Sequence, residues 1–247
     1  PSPRISASDN ERWQIILAPS LKLDANSELK LTSHIQLFDR DSKVRRQDNK
    51  LLIRNQSSTF RDQLYETELL YKRQVGDLLQ LIVGGEYEQR RVIGEQLRKD
   101  RLDIDEYAFF GQAEINPFSW LTIVPGARVT KHENINARFT PAANVFLKPQ
   151  EDLRFRLSYG EGFRTPTLSE LYSFFTEPGG TAIQGNPNLE PEKSRSYSVG
   201  AEYHLPWAFF GVSPFRHDVR ELIECQSTGP SACKYQNVSR ARFEGVE

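Results

Sequence analysis

The 247-residue chain contains no methionine, only two cysteines and no excess of either charge: 32 basic residues stand against 33 acidic ones. That balance removes the basic footprint by which nucleic-acid-binding domains are recognised, so no nucleic-acid partner is expected. No apolar run approaches the roughly 20 residues of a membrane-crossing helix. The longest, near residues 78–85, is broken by Gln80. A helical membrane protein is thereby excluded. A membrane barrel is not, because barrel strands hide their hydrophobicity in alternation. The opening residues, "PSPRISASDNERW", lack the charged start and apolar core of a signal peptide, and without an initiator methionine the chain reads as a piece of a longer one.

Cys225 and Cys233 lie close together in "ECQSTGPSACKY". Two thiols with no neighbouring His or further Cys cannot complete a tetrahedral zinc shell. They read either as free thiols or, around a Gly-Pro turn, as a disulfide formed in an oxidising compartment. No metal-ligand set, cofactor motif or cluster of acid, base and nucleophile stands out. His217 and Asp218 are neighbours on a strand, so they face opposite ways.

What the sequence does hold is alternation with period two, the mark of strands with two different faces. Leu29, Leu31, Ile35 and Leu37 alternate with Lys30, Thr32, His34 and Gln36. Tyr107, Phe109, Ala113 and Ile115 alternate with Glu106, Gln112 and Glu114, and Leu153, Phe155, Leu157 and Tyr159 with Arg154, Arg156 and Ser158. About eleven strands are expected, near 12–23, 28–38, 62–74, 78–90, 105–115, 120–131, 138–147, 153–160, 196–205, 208–219 and 235–246. Short links alternate with longer ones at 39–61, 91–104, 131–137, 160–195 and 220–234. A meander with tight turns at one end and long loops at the other describes an outer-membrane barrel better than a Greek-key sandwich. The apolar face stays on odd numbers, which calls for turns of three or five residues; Asp105 and His217 break the pattern. Phe118, Trp120, Trp207, Phe209 and Phe210 near the short turns read either as an interfacial girdle or as ordinary sheet packing. By parity Arg128, Arg138, Arg154 and Arg156 point to the wet side, where they would suit an anionic chelate or simply be solvated.

The longest link opens with "LSYGEGFRTPTLSELY" and closes with "GNPNLEPEKSRSYSVGAEY"; later comes "FRHDVRELIE" and then "YQNVSRARFEGVE". In this order the segments resemble the signature of TonB-dependent outer-membrane receptors, the active importers of siderophores, cobalamin, haem and some saccharides. The resemblance is strong over residues 157–247 and one of pattern before that. It implies an all-β, antiparallel, up-and-down transmembrane barrel. Residues 1–247 would form about eleven strands of the family's 22, with the N-terminal plug and the remaining strands absent from this chain.

Carried over residue by residue, Phe163, Arg164 and Pro166 match the Phe-Arg-x-Pro element, and Asn186, Pro187, Asn188 and Leu189 the Asn-Pro-Asn-Leu element. Thr165 stands where a small Ala is common. The prolines end strand pairing. Thr167 and Glu170 have capping-box spacing for a short helical turn packed by Leu168, Leu171 and Tyr172. These residues are expected to order the loop rather than touch ligand, with "EPGGTAIQG" as its flexible part. Haem receptors of this kind often place a His between the two elements; here there is none.

The function implied is therefore import of a scarce nutrient, a ferric siderophore first, across the outer membrane of a Gram-negative bacterium. The TonB–ExbB–ExbD complex would energise it through the plug, with membrane lipid and lipopolysaccharide around the barrel. No bond-making chemistry and no cofactor are expected. Two other readings stand beside it. An outer-membrane barrel enzyme would need a catalytic cluster at the rim. A soluble β-sandwich binding or adhesion module would seal Leu31, Phe109 and Leu157 in one interior.

Overall fold

Alternating sequence needs only a partner of the same kind to become sheet, and nearly every alternating stretch finds one. The computed structural model describes residues 4–48, 52–94, 101–133, 135–176 and 181–247. The strands are β1 (Arg4–Leu17), β2 (Ser20–Asp24), β3 (Ser27–Asp48), β4 (Leu52–Val75), β5 (Leu79–Gly94), β6 (Arg101–Phe118), β7 (Leu121–His132), β8 (Arg138–Gln150) and β9 (Leu153–Arg164). After a short helix α1 (Leu168–Tyr172) come β10 (Phe174–Thr176), β11 (Ala182–Gln184), β12 (Glu192–Leu205), β13 (Ala208–Val212), β14 (Pro214–Gly229) and β15 (Ala232–Val246). All belong to one sheet, ordered β1-β3-β4-β5-β6-β7-β8-β9-β12-β14-β15-β11-β10, with β2 beside β3 and β13 beside β12.

β1 and β2 are one strand interrupted at Pro19, and β13 and β14 one strand interrupted at Ser213. With β10 and β11 set aside as loop strands, eleven antiparallel wall strands remain, each beside its sequence neighbour. The sheet does not close on itself among the described residues. Turns of two or three residues join the strands at one end; the other, here called the outer end, carries the long β9–β12 connection.

The wall is taller than the alternation suggests. β3 and β4 run 22 and 24 residues, about 70–80 Å at ~3.3 Å per residue. The link expected at 39–61 is mostly paired strand, to Asp48 opposite Leu52. Segments 91–94, 101–104 and 220–229 likewise continue their strands. Residues 39–43 and 57–59 are polar on both faces, so periodicity fades there while backbone pairing persists.

The turns correct the expected loop lengths. Of the five turns at the end opposite the outer one, only Gly76–Asp77–Leu78 has three residues, Gly76 taking a φ of 59°. Turns at Ala25–Asn26, Ser119–Trp120 and Glu151–Asp152 have two, which would exchange the faces. Each is accompanied by a β-bulge that restores them, at Lys22/Asp24, Ile115/Phe118 and Leu147/Gln150. Pro206–Trp207 has no such bulge: Leu205 pairs with Ala208 and Tyr203 with Phe210. Beyond it, even-numbered residues carry on the face that odd numbers held before. His217 thus belongs to the polar face, where its ring Nδ1 is 2.7 Å from the Ser196 hydroxyl. It breaks no pattern.

The described residues enclose no sandwich interior. Leu31 (40% exposed), Phe109 (71%) and Leu157 (41%) lie open on the apolar face, and among the described residues no large side chain is fully buried. Trp207 and Phe210 at the short turns are open as well, and Phe118 stacks on Trp120 at 5.3 Å. Six of the buried apolar residues form two clusters where the long loop meets the outer end of the polar face.

Candidate functional site: the loop strapped across the outer mouth

The loop between β9 and β12 starts where Pro166 interrupts the ladder. Thr167 caps α1: its hydroxyl accepts from the Glu170 N–H at 3.2 Å, and the Glu170 carboxylate accepts from the Thr167 N–H at 2.7 Å, a complete capping box. A five-residue helix has no stability of its own, so packing must hold it. Leu168 is buried against Val92 of β5 and Leu102 of β6. Three positions on, Leu171 is buried against Leu189 and Ile223 of β14. Tyr172 touches both clusters. Val92, Leu102 and Ile223 all point to the polar face, so the helix spans between walls that are well separated in strand order.

Arg164 fastens the near end. Its Nε and Nη2 donate to Glu192 at 2.9 and 2.6 Å, and its Nη1 and Nη2 to Glu170 at 2.9 and 3.1 Å. Such two-toothed guanidinium–carboxylate pairs fix orientation as well as charge. The two carboxylates hold the guanidinium far above its ordinary pKa, the Glu192 bonds contributing most. Burial pushes Glu192 upward, but the Arg164 bond and the Ile223 N–H (2.8 Å) together bring its carboxyl below the usual value.

The far end is held through backbone. Gly185 N–H donates to Ser173 C=O (2.7 Å) and Asn186 N–H to Glu170 C=O (2.9 Å). A Cβ on Gly185 would sit 2.7 Å from the Leu171 carbonyl, so only glycine permits this approach. The Asn186 side chain turns back onto the Asn188 N–H at 3.1 Å. Asn237 of β15 accepts from the Glu190 N–H and donates to the Glu190 and Glu221 carbonyls at 2.9 and 2.7 Å. Glu221 has a φ of 56°, the only positive value at a non-glycine among the described residues. β11 pairs in parallel with Ala232–Lys234 of β15. In that hairpin Cys225 and Cys233 are joined, Cα–Cα 5.4 Å. Of "EPGGTAIQG", residues 177–180 lie outside the described residues.

A family model for the TonB-dependent receptor-like β-barrel matches residues 4–247. The chain belongs to that family. It is 34% identical over 102 residues to the vitamin B12 transporter of Vibrio vulnificus, covering 41% of this chain and 15% of that protein. Over 158 residues it is 25% identical to the ferrienterobactin receptor of Escherichia coli, covering 57% and 21%. Among solved structures, the siderophore receptor PirA of Pseudomonas aeruginosa superposes with a TM-score of 0.71 at 16% identity, over 97% of this chain and 52% of that one. The chain therefore spans about half that structure and a smaller share of the curated relatives. In a transmembrane barrel the polar face is the lumen and the apolar face the outside.

The motif residues divide by role. Arg164, Pro166, Asn186 and Leu189 build the strap, with Tyr172 between its two clusters. Pro187 and Asn188 are exposed at its surface. Phe163 faces outward beside Lys193. The four arginines are not equivalent. Arg128 donates twice to Glu86, at 3.0 and 2.7 Å, and Arg156 lies 3.2 Å from Glu202. Arg154 stands opposite Glu202 in register. Arg138, at the outer rim, has a buried Nε with no partner among the described residues. Parity misses the acidic side of the same wall: His34, Glu66, Glu88, Glu106 and His132 form one row across β3–β7. Register, not sequence, assembles that row. Beneath the strap, Glu88, Arg90, Glu106 and His132 with Pro166 and Leu168 line a cavity of ≈ 80 Å³. Burial there lowers the His132 pKa.

Proposed function

We infer that this chain forms part of the wall and mouth of an active importer in the outer membrane of a Gram-negative bacterium, taking up a ferric siderophore. Energy would come from the TonB–ExbB–ExbD complex acting through a plug segment. The observation that carries the reading is the single-layer sheet of this family, open and apolar on one face, with a loop fastened across the opposite face at the outer end. Such a wall is stable only where hydrocarbon meets the apolar side, since no second layer covers it. The mechanism is capture and gated passage, with no bond made or broken.

A siderophore is favoured over haem because no histidine lies between Pro166 and Asn186 to ligate iron from the strap. With Arg128 and Arg156 neutralised by carboxylates, the lumen wall is of mixed charge, and anion selectivity falls to the outer rim. The test is uptake by a strain lacking the intact receptor gene, supplied separately with iron-loaded siderophores, haem and cyanocobalamin. Loss of siderophore iron alone supports the reading. Loss of cobalamin or haem uptake with siderophore uptake intact overturns the ligand assignment.

A further inference from the structure

On the polar face, toward the outer end, β1, β3 and β4 carry arginines and phenylalanines in a checkerboard. Register sets it. Arg12 of β1 stands opposite Phe38 of β3, and Arg40 of β3 opposite Phe60 of β4. Each guanidinium lies over the ring it faces: the Arg12 Cζ is 5.4 Å from the Phe38 centroid, and the Arg40 Cζ 5.2 Å from that of Phe60. The two rings meet edge to face, their centroids 6.4 Å apart. Their direction follows from a neighbour. Phe60 packs against the cluster of Val92, Leu102 and Leu168, so the checkerboard lies on the strap's side of the sheet.

These arginines differ from Arg128 and Arg156, which each meet a glutamate. Among the described residues, the partners of Arg12 and Arg40 are rings, and neither has a carboxylate. Asp62, opposite Phe38, is already engaged by Arg90 at 3.0 Å. The flanking rows on this face are neutral. Ser8 and Ser42 lie above, their hydroxyls 3.2 Å apart, and Gln14 and Gln36 lie below. A guanidinium stacked on a ring is held flat, with its N–H edge free to donate and less side-chain entropy left to lose. Two such forks with their rings fit a ligand that is both anionic and aromatic.

We propose that this checkerboard is a docking platform at the outer mouth for ferric siderophores of the catecholate class. Catecholate arms bring more negative charge to the complex than the ferric ion cancels, and each arm is a flat ring. Arg12 and Arg40 donate to the phenolate oxygens, and Phe38 and Phe60 supply the aromatic contact. A neutral hydroxamate complex has neither the charge nor the ring. Haem has a ring and carboxylates but calls for an axial ligand, and His34, two rows deeper, is already 2.9 Å from Gln14 and 3.6 Å from Glu66. Phe60 is shared with the strap's anchor, which puts the docked ligand beside the loop. The inference rests on the siderophore-import reading and names the chemical class within it.

The test uses the intact receptor, purified in mild detergent, with ferric enterobactin as the catecholate probe and ferrichrome (a hydroxamate) and haem beside it. Wild type should bind the catecholate tightest. Arg12→Gln/Arg40→Gln should weaken that binding roughly tenfold or more, the loss of at least one charge-assisted contact. Phe38→Leu keeps both charges and should weaken it about threefold. Lys43→Gln/Arg61→Gln, removing the same charge from the outward face of β3 and β4, should bind as wild type. Unchanged catecholate binding by the glutamine pair overturns the platform and leaves siderophore import standing. Tighter binding of ferrichrome or haem by wild type overturns the catecholate class. Binding of cyanocobalamin with no binding of either ferric siderophore overturns the import reading, and the platform with it. Should the glutamine pair fail to reach the outer membrane, Arg12→Lys/Arg40→Lys decides. Lysine keeps the charge without the flat fork, so catecholate affinity should fall about threefold and weaken further as salt rises; affinity equal to wild type at every salt concentration contradicts the proposal.

Discussion

Replacing Arg164 with alanine should release the strap without unfolding the wall. The side chain makes four hydrogen bonds to Glu170 and Glu192, whose carboxylates are only 14% and 13% exposed while the arginine is 43% exposed. Removing one partner of a fully buried pair costs about 3–5 kcal/mol, and an exposed pair is worth under about 1 kcal/mol. This partly screened clamp falls between, so Arg164→Ala should destabilise the closed loop by ~2 kcal/mol, a population shift of about thirtyfold. Hydrogen exchange of the intact receptor reads this directly. The reporters are the amides of Leu171, Ser173, Gly185 and Asn186, which all bond within the strap. Their exchange should accelerate about thirtyfold, while amides in the ladder between β7 and β8 stay unchanged. Unaltered strap protection would refute the clamp, and equal acceleration throughout the wall would refute the claim that the loop opens locally.

Gly185→Ala should drive a methyl group into the Leu171 backbone, cost about 1–3 kcal/mol of local packing, and raise protease cleavage within 173–189. Asn237→Ala leaves the Glu190 N–H and the Glu190 and Glu221 carbonyls without their side-chain partner; a loss of about 1–3 kcal/mol is expected, seen as faster exchange of the Glu190 amide. Reducing the Cys225–Cys233 bridge should loosen the β14–β15 tip by up to about 2–3 kcal/mol, read as proteolysis near 226–232 under reductant. Acidification should open the strap in two stages. Buried His132 resists the proton that an exposed histidine takes near 6.5, so its contribution fades as pH falls below that value. Glu192, held below 4.5, contributes fully above that value and loses its part as pH falls beneath it. Strap exchange, corrected for intrinsic pH effects, should rise in both windows; a flat profile contradicts the assigned environments.

The eleven wall strands were legible because each must present one greasy and one wet face, and period two records that requirement directly. The outer extensions of β3 and β4 were not, because above the apolar zone neither face has to be greasy. Face parity was readable only as far as Leu205: a bulge in one strand cancels a two-residue turn, and nothing in "LPWA" announces that its bulge is missing. In the loop, Thr167 and Glu170 declared their capping box by spacing alone. The contacts of Leu168 with Val92 and Leu102, and of Arg164 with Glu192, join residues far apart in sequence, and alternation carries no record of them. The row from His34 to His132 is another product of register. Its charges set the four arginines in a wall of mixed sign.

The central claim is that the face carrying Phe109, Leu157 and Val199 meets hydrocarbon while Glu106, Arg156 and Ser198 meet water. Spin labels placed one at a time at these six positions of the intact receptor, reconstituted in liposomes, measure it directly. Labels at 109, 157 and 199 should collide mainly with dissolved oxygen, and those at 106, 156 and 198 mainly with a water-soluble nickel chelate. Equal access of the chelate to both sets, or the opposite assignment, would contradict the account.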